Sequence, residues 1–423
     1  MAKRENDLGR DPIGKLLLRL AVPTVTAQLV NALYNIVDRI YIGHIPGEGD
    51  LALTGLGICF PVILFVSAIS ALVGMGGGSR AVVRMGEGKL DEANKILGNC
   101  TLLLMILGLA ATVVFQLCKE PMLYLFGATE NTIGYSMDYL NIYLYGSIFV
   151  ELALGLNFFI TSQGFSTVGM ASVIIGAVVN IVLDPILIFG LNMGVKGAAL
   201  ATITAQAVSA VWVVRFLCGR RTKLRIQRRL LRLDAKVLAP VLALGLSPFI
   251  MQSTESLVNI AFNSSLKTYG GDPAVGAMTI CSSIMQVFSL LFQGLSQGAQ
   301  PIVGYNYGAG RHDRVRRIFT VMMTAEACVG LIAMICFECF PLTIIRIFGS
   351  ENGLYNEFAV ISFRLFLCTI ALCCVQKACS IFLQSLGKPM LSMSLSLLRD
   401  FILSVPLALI LPRYLGVTGT LYS

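Results

Sequence analysis

Apolar residues in this chain run in long stretches. They show neither the alternation of a half-buried strand nor the one-sided stripe of a surface helix. Eleven stretches approach spanning length, at about residues 16–37, 51–77, 96–118, 139–160, 168–189, 197–217, 237–262, 274–303, 318–340, 359–383 and 390–411. A helix rises 1.5 Å per residue, so about 20 residues cross a hydrocarbon layer ~30 Å thick. A helix that is apolar all round belongs in a core or in lipid. The stretches take up more than half the chain, which predicts an all-α polytopic membrane protein.

A repeat organises these stretches. Gly86-x-Gly88-x-x-Asp91 returns as Gly308-x-Gly310-x-x-Asp313, and Phe126-Gly127 returns as Phe348-Gly349. Gly194-Val195-x-Gly197 returns as Gly416-Val417-x-Gly419, and Gly76 pairs with Gly298. The offset is constant, and the matches fall at equivalent places between spans. The expected lobes are 1–218 with six spans and 237–423 with five, joined by a basic linker at 219–236. An even span number returns the chain to its starting side. The two copies are therefore expected as parallel six-helix bundles about a pseudo-twofold axis along the membrane normal, with a cleft between them. The counterpart of the sixth span would start after Gly419, so the expectation is a chain cut before its twelfth helix.

Composition and charge narrow the class. Hydrophobic residues make up 56% and charged residues 13%, against ~25% charged in a soluble domain. That excludes a disordered chain and an ordinary soluble globule. The net charge of +9 sorts by loop. Lys3, Arg4, Arg10 and Lys15 precede the first span; Arg80, Arg84, Lys89 and Lys95 follow the second. The linker and the loop with Arg311, Arg314, Arg316 and Arg317 carry the rest, while alternate loops hold mostly single bases. The positive-inside rule then places the N-terminus in the cytoplasm. The basic balance reads as topology, with no nucleic-acid partner. Most of the twelve cysteines lie in apolar runs and read as small apolar residues, Cys336-x-x-Cys339 included.

Polar groups inside spans carry the candidate chemistry, because a charge at the bilayer centre costs ~2.5–3.5 kcal/mol on insertion scales. Asn31, Asn35 and Asp38 share one face of the first span. Asn180 and Asp184 share one face of the fifth, where Pro185 frees a carbonyl of the preceding turn. Carboxylate, amide and carbonyl oxygens suit a small hard cation; the bland alternative is helix–helix glue. Gln252, Glu255, Asn259 and Asn263 form a polar stripe on the seventh span, and Gln286, Gln293, Gln297 and Gln300 one on the eighth. Both read as the lining of a water-filled cleft. Glu151, Lys377 and the Arg399-Asp400 pair are further charges within spans. Gly74-x-Gly76-Gly77-Gly78 ends a span rather than a strand, and Gly86-Glu87-Gly88-Lys89 lacks phosphate-loop spacing. No catalytic constellation is found, so the chain is not read as an enzyme.

Several stretches are similar to one family. They are Tyr34-Asn35-Ile36-Val37-Asp38-Arg39, Asn180-Ile181-Val182-Leu183-Asp184-Pro185, Gly194 to Thr202, Pro301 to Ala309, and Leu398-Arg399 with Pro406. Over essentially the whole chain they resemble the MATE family of multidrug and toxin extrusion transporters, in its bacterial MepA-like, DinF-related branch. The resemblance implies twelve helices in two lobes and antiport of small organic cations against H+ or Na+. It implies a cation-coupling site at Asp38, Asn180, Asp184 and Thr202, with Na+ as the one metal the site would take. A second acidic site used by another branch would include Glu255, but the tenth span offers Gln376 and Lys377 in place of its other acid. The expectation is a monomeric, multi-pass antiporter of the bacterial cytoplasmic membrane, without cofactor. A lipid-linked oligosaccharide flippase is the alternative of the same architecture; it calls for Arg and Lys in the cleft, where this chain has acids and amides.

Overall fold

The computed structural model describes residues 6–339, 370–404, 406–407 and 410–411; the side chains of 252–284, 336–337, 370–371, 400–401 and 403 lie outside the description. The described chain is helical. Its elements are α1 (Ile13–Gly43), α2 (Gly49–Gly86), α3 (Leu90–Leu125), α4 (Ile133–Tyr145), α5 (Ser147–Ser162), α6 (Ser166–Pro185), α7 (Val195–Cys218), α8 (Ala235–Gly308), α9 (His312–Cys339), α10 (Ile370–Ser385) and α11 (Pro389–Leu397). A π-turn, Ile186–Gly190, continues α6, and another, Leu398–Ser404, continues α11.

Among the described residues, six helical units are long and apolar enough to cross a membrane: α1, α2, α3, α6 with its π-turn, α7 and α9. The α4–α5 pair makes a seventh if it counts as one span, and it bends by 58°. The span expected at 139–160 runs straight through this break. Gly146 sits at the bend, and without a side chain it lets the corner lie against Ile203 of α7. Large apolar side chains such as Leu18, Leu117 and Leu125 face outward, as lipid-facing helices require.

The expected seventh and eighth spans fall within one helical run, α8. Its two arms lie side by side. An added Cβ on Gly76 of α2 would land on the carbonyl of Val241, and one on Gly86 would land on the carbonyl of Tyr305. Positions ten apart on α2 thus meet positions far apart on α8, so the run turns back between its arms.

The contacts across the molecule are reciprocal. Gly86 closes on the Tyr305 carbonyl, and Gly308 closes on the Val83 carbonyl. Each pair is the other shifted by the sequence repeat. Small residues let helix backbones touch where no water drives them together, and here they do so about a pseudo-twofold axis. One core cluster also crosses the interface: Leu16, Leu20 and Ala21 of α1 pack with Ala299 and Ile302 of α8 and with Ile318 of α9.

Candidate functional site

The candidate coupling site is set by α1, α6 and α7. α1 packs along α6, and α6 along α7. Pro185 ends α6 and cannot donate a backbone hydrogen bond. The chain continues as a π-turn in which the Leu191 N–H reaches the Ile186 carbonyl at 2.8 Å. The start of α7 packs on this turn, with Gly197 against Leu187, and Thr202 follows on α7.

Asn180 and Asp184 are buried, and so is Asp38, at 8% exposure. The Asn180 amide donates to Asp184 Oδ1 at 3.2 Å. Three buried oxygens in the group accept no hydrogen bond: Asp38 Oδ1, Asn180 Oδ1 and Asp184 Oδ2. A buried polar atom without a partner costs ~1–3 kcal/mol, and three in one place need a common explanation. Asp184, Tyr34 and Tyr139 all lie within electrostatic reach of Asp38. Tyr139 lies beside Thr202 and stacks on Tyr143, ring centroids 5.9 Å apart. The unpartnered atoms are all oxygens, which fits a proton or a hard cation such as Na+. Beside the site lies an open cavity lined by Asn31, Tyr34, Asn157, Asn180, Thr202 and Gln206 among others.

The polar stripes divide by depth. Asn31 and Asn35 of α1 and Gln286 and Gln293 of α8 are exposed. One turn nearer the N-terminal end, Gln28 donates to Gln297 at 3.3 Å, and Gln300 donates to Ser79 at 2.8 Å. The upper amides therefore face open space, while the lower ones join the two halves. Gln252, Glu255 and Asn259, with Asn263, lie outside the described side chains, as does Asp400. The segment with Phe348-Gly349 and that with Gly416 to Gly419 also lie outside the described residues.

Below the joined amides, the N-terminal segment closes the same end. Asn6 donates to the Gly164 carbonyl at 3.0 Å, on one half. On the other half, Asn306 donates to the Leu8 carbonyl at 2.8 Å, Arg311 to that of Gly9 at 2.6 Å and Arg314 to that of Asp11 at 2.7 Å. Leu8 is buried beneath them.

Other charges within spans have local partners. Ser70 donates to Glu151 at 2.9 Å, and Arg399 donates to Gln376 at 2.6 Å. No pattern in the sequence singles out Tyr139, because its neighbour Thr202 is some sixty residues away. The expected site residues also omit Glu326 of α9, fully buried and accepting from Ser296 at 2.6 Å. The cost of a carboxylate in an apolar run was signal enough to find that one.

The MatE family model matches this chain twice, over residues 23–186 and 248–410. The chain belongs to the MatE family. The doubled match puts one copy of the family's unit in each half, in keeping with the internal repeat. A curated relative, the multidrug export protein MepA of Staphylococcus haemolyticus, is 22% identical over 411 residues, spanning 97% of this chain and 90% of the relative. A crystal structure of a MATE protein in the bent conformation superposes with a TM-score of 0.91 at 24% identity, over 98% of this chain and 91% of that one. A multidrug resistance MATE transporter in an outward-facing conformation gives 0.89 at 23% identity, over 99% and 94%. The fold is that of two-lobed MATE transporters.

Proposed function

We propose that this MatE-family protein is a cation-coupled exporter of lipophilic organic cations, working by alternating access across the bacterial cytoplasmic membrane. The observation that carries the reading is the group of three unpartnered buried oxygens on Asp38, Asn180 and Asp184 beside an amide-lined cavity. Two buried carboxylates within electrostatic reach of each other are not both ionised without a neutralising partner. H+ or Na+ supplies that charge. A ligand shifts a two-state equilibrium only by its differential affinity for the states, so loading the ion and loading the drug would favour opposite arrangements of the lobes.

Two further features support alternating access. Amides join the halves at one end and stand exposed above, and the N-terminal segment ties the halves together at the joined end. With the N-terminus in the cytoplasm, this arrangement is open outward. The lobes are 1–218 and 237–423, the linker 219–236 is cytoplasmic, and the protein acts as a monomer. The cavity lining holds no Lys or Arg among the described residues, which disfavours a pyrophosphate-bearing lipid as cargo.

The test is dye efflux from vesicles under separately imposed proton and sodium gradients. Efflux of a cationic dye driven by one of them is expected. Export of anionic compounds alone, or efflux indifferent to both gradients, would overturn the proposal.

A further inference from the structure

The segment between α7 and α8 has the period-two pattern of an extended strap laid on a surface. Thr222 and Leu224 are buried and Ile226 is half-buried, while Arg221, Lys223 and Arg225 between them are exposed. Buried amides hold the strap's backbone. Gln163 Oε1 accepts from the Thr222 hydroxyl at 2.8 Å and from the N–H groups of Lys223 and Leu224 at 2.9 and 2.8 Å. Asn94 Oδ1 accepts from the Arg225 N–H at 2.8 Å, and Asn99 Oδ1 from the Asp234 N–H at 2.7 Å. Lys95 pairs with Asp234 at 2.6 Å. The strap is thus fixed to α3 and to the α5–α6 turn.

The bases are left facing out. Every Lys and Arg from Arg220 to Lys236 is exposed, and Asp234 is the one acid in that stretch, already engaged by Lys95. The strap begins where the spanning helix α7 ends. Trp212, the chain's single tryptophan, is exposed in the last turns of α7. Tryptophan concentrates at the level of lipid headgroups, which puts the bases there too.

We propose that this strap is a preorganised binding site for the anionic headgroups of phospholipids in the leaflet it faces. The proposal rests on the chain spanning a membrane, and not on its transport being ion-coupled. Basic clusters just beyond a span attract anionic lipid, by roughly fivefold per base near the surface. Here the backbone is held before the lipid arrives, so less ordering accompanies binding. The bonds to Gln163, Asn94, Asn99 and Lys95 tie the strap to the N-terminal half, so bound lipid would move with that half.

The test uses the purified full chain in neutral detergent. Retention of phosphatidylglycerol and of phosphatidylcholine is compared by native mass spectrometry. Preferential retention of phosphatidylglycerol is expected. A variant combining Arg220→Gln, Arg221→Gln, Arg228→Gln and Arg232→Gln should lose at least about tenfold of that preference. Arg316→Gln with Arg317→Gln, exposed at the start of α9, should keep it. Asn94→Ala, which removes the strap's anchor at Arg225 and leaves its charge intact, should weaken it. Equal retention of the two lipids, an unaffected fourfold variant, or wild-type behaviour of Asn94→Ala would each overturn the proposal. So would full displacement of the lipid by millimolar ATP, which would make a soluble anion the occupant. None of these results depends on dye efflux.

Discussion

Arg314 offers a direct handle on the closed end. Its Nη2 donates to the Asp11 carbonyl at 2.7 Å, and its Nε donates to Asn306 Oδ1 at 3.1 Å. The second bond orients Asn306, whose amide then donates to the Leu8 carbonyl. Arg314→Ala removes both bonds and releases Asn306. A hydrogen bond from a charged group contributes ~1.5–3 kcal/mol when buried, and both of these are only partly buried. About 1 kcal/mol each is a fair discount, or about 2 kcal/mol together. That is roughly a 30-fold change in an equilibrium constant, so a resting 99:1 ratio would fall to about 3:1. Spin labels at Asp91 and Asp313 report the result. Both positions are exposed, they occupy equivalent places in the repeat, and they lie on opposite halves. Pulsed electron–electron distance measurement in nanodiscs should show one dominant distance in the parent and a new, longer population in Arg314→Ala. Arg316→Ala is the control. An unchanged distribution in well-folded Arg314→Ala would refute the idea that this clamp holds the halves together.

Other outcomes follow from the same geometry. Asp38→Asn and Asp184→Asn should each abolish gradient-driven efflux with membrane insertion intact, while Asn180→Ala and Thr202→Ala weaken it; wild-type efflux in either aspartate variant would place coupling elsewhere, with Glu255 the next residue to change. Gln163→Ala leaves two backbone N–H groups of the strap without their acceptor and should destabilise the protein by about 2–4 kcal/mol, read by thermal unfolding in detergent; a loss under ~1 kcal/mol would mean the strap is held otherwise. Asp234 is kept below the usual carboxylate range, first by Lys95 and then by the Lys236 N–H. A depressed folded value means its contribution is present above the unfolded carboxylate pKa, near 4, and is lost as pH falls through the folded one. A spin label at Arg229 should therefore keep constant mobility from pH 8 to 5 and loosen only in stronger acid; loosening near pH 6 would contradict this.

Much of the molecule is written in one dimension. Lipid asks only for length and apolarity, so spans such as Gly49–Gly86 and Val195–Cys218 are legible as runs. The two-lobed plan is legible too, because a repeated fold leaves its glycines at a constant spacing wherever backbones must touch, as at Gly86 and Gly308. The candidate acids could be named because a carboxylate inside a span is costly enough to stand out. Tertiary structure decided what no pattern carries. It divided the glutamine stripe of α8, tying Gln297 to Gln28 and Gln300 to Ser79 while leaving Gln286 and Gln293 exposed, since that choice depends on which helix stands opposite. It bent the fourth span at Gly146, where the neighbour is Ile203. It brought Tyr139 to Thr202 and laid the linker on Gln163, Asn94 and Asn99. A hydrogen bond has direction and a short reach, so its partners are set by where helices cross in space, and sequence separation holds no record of that.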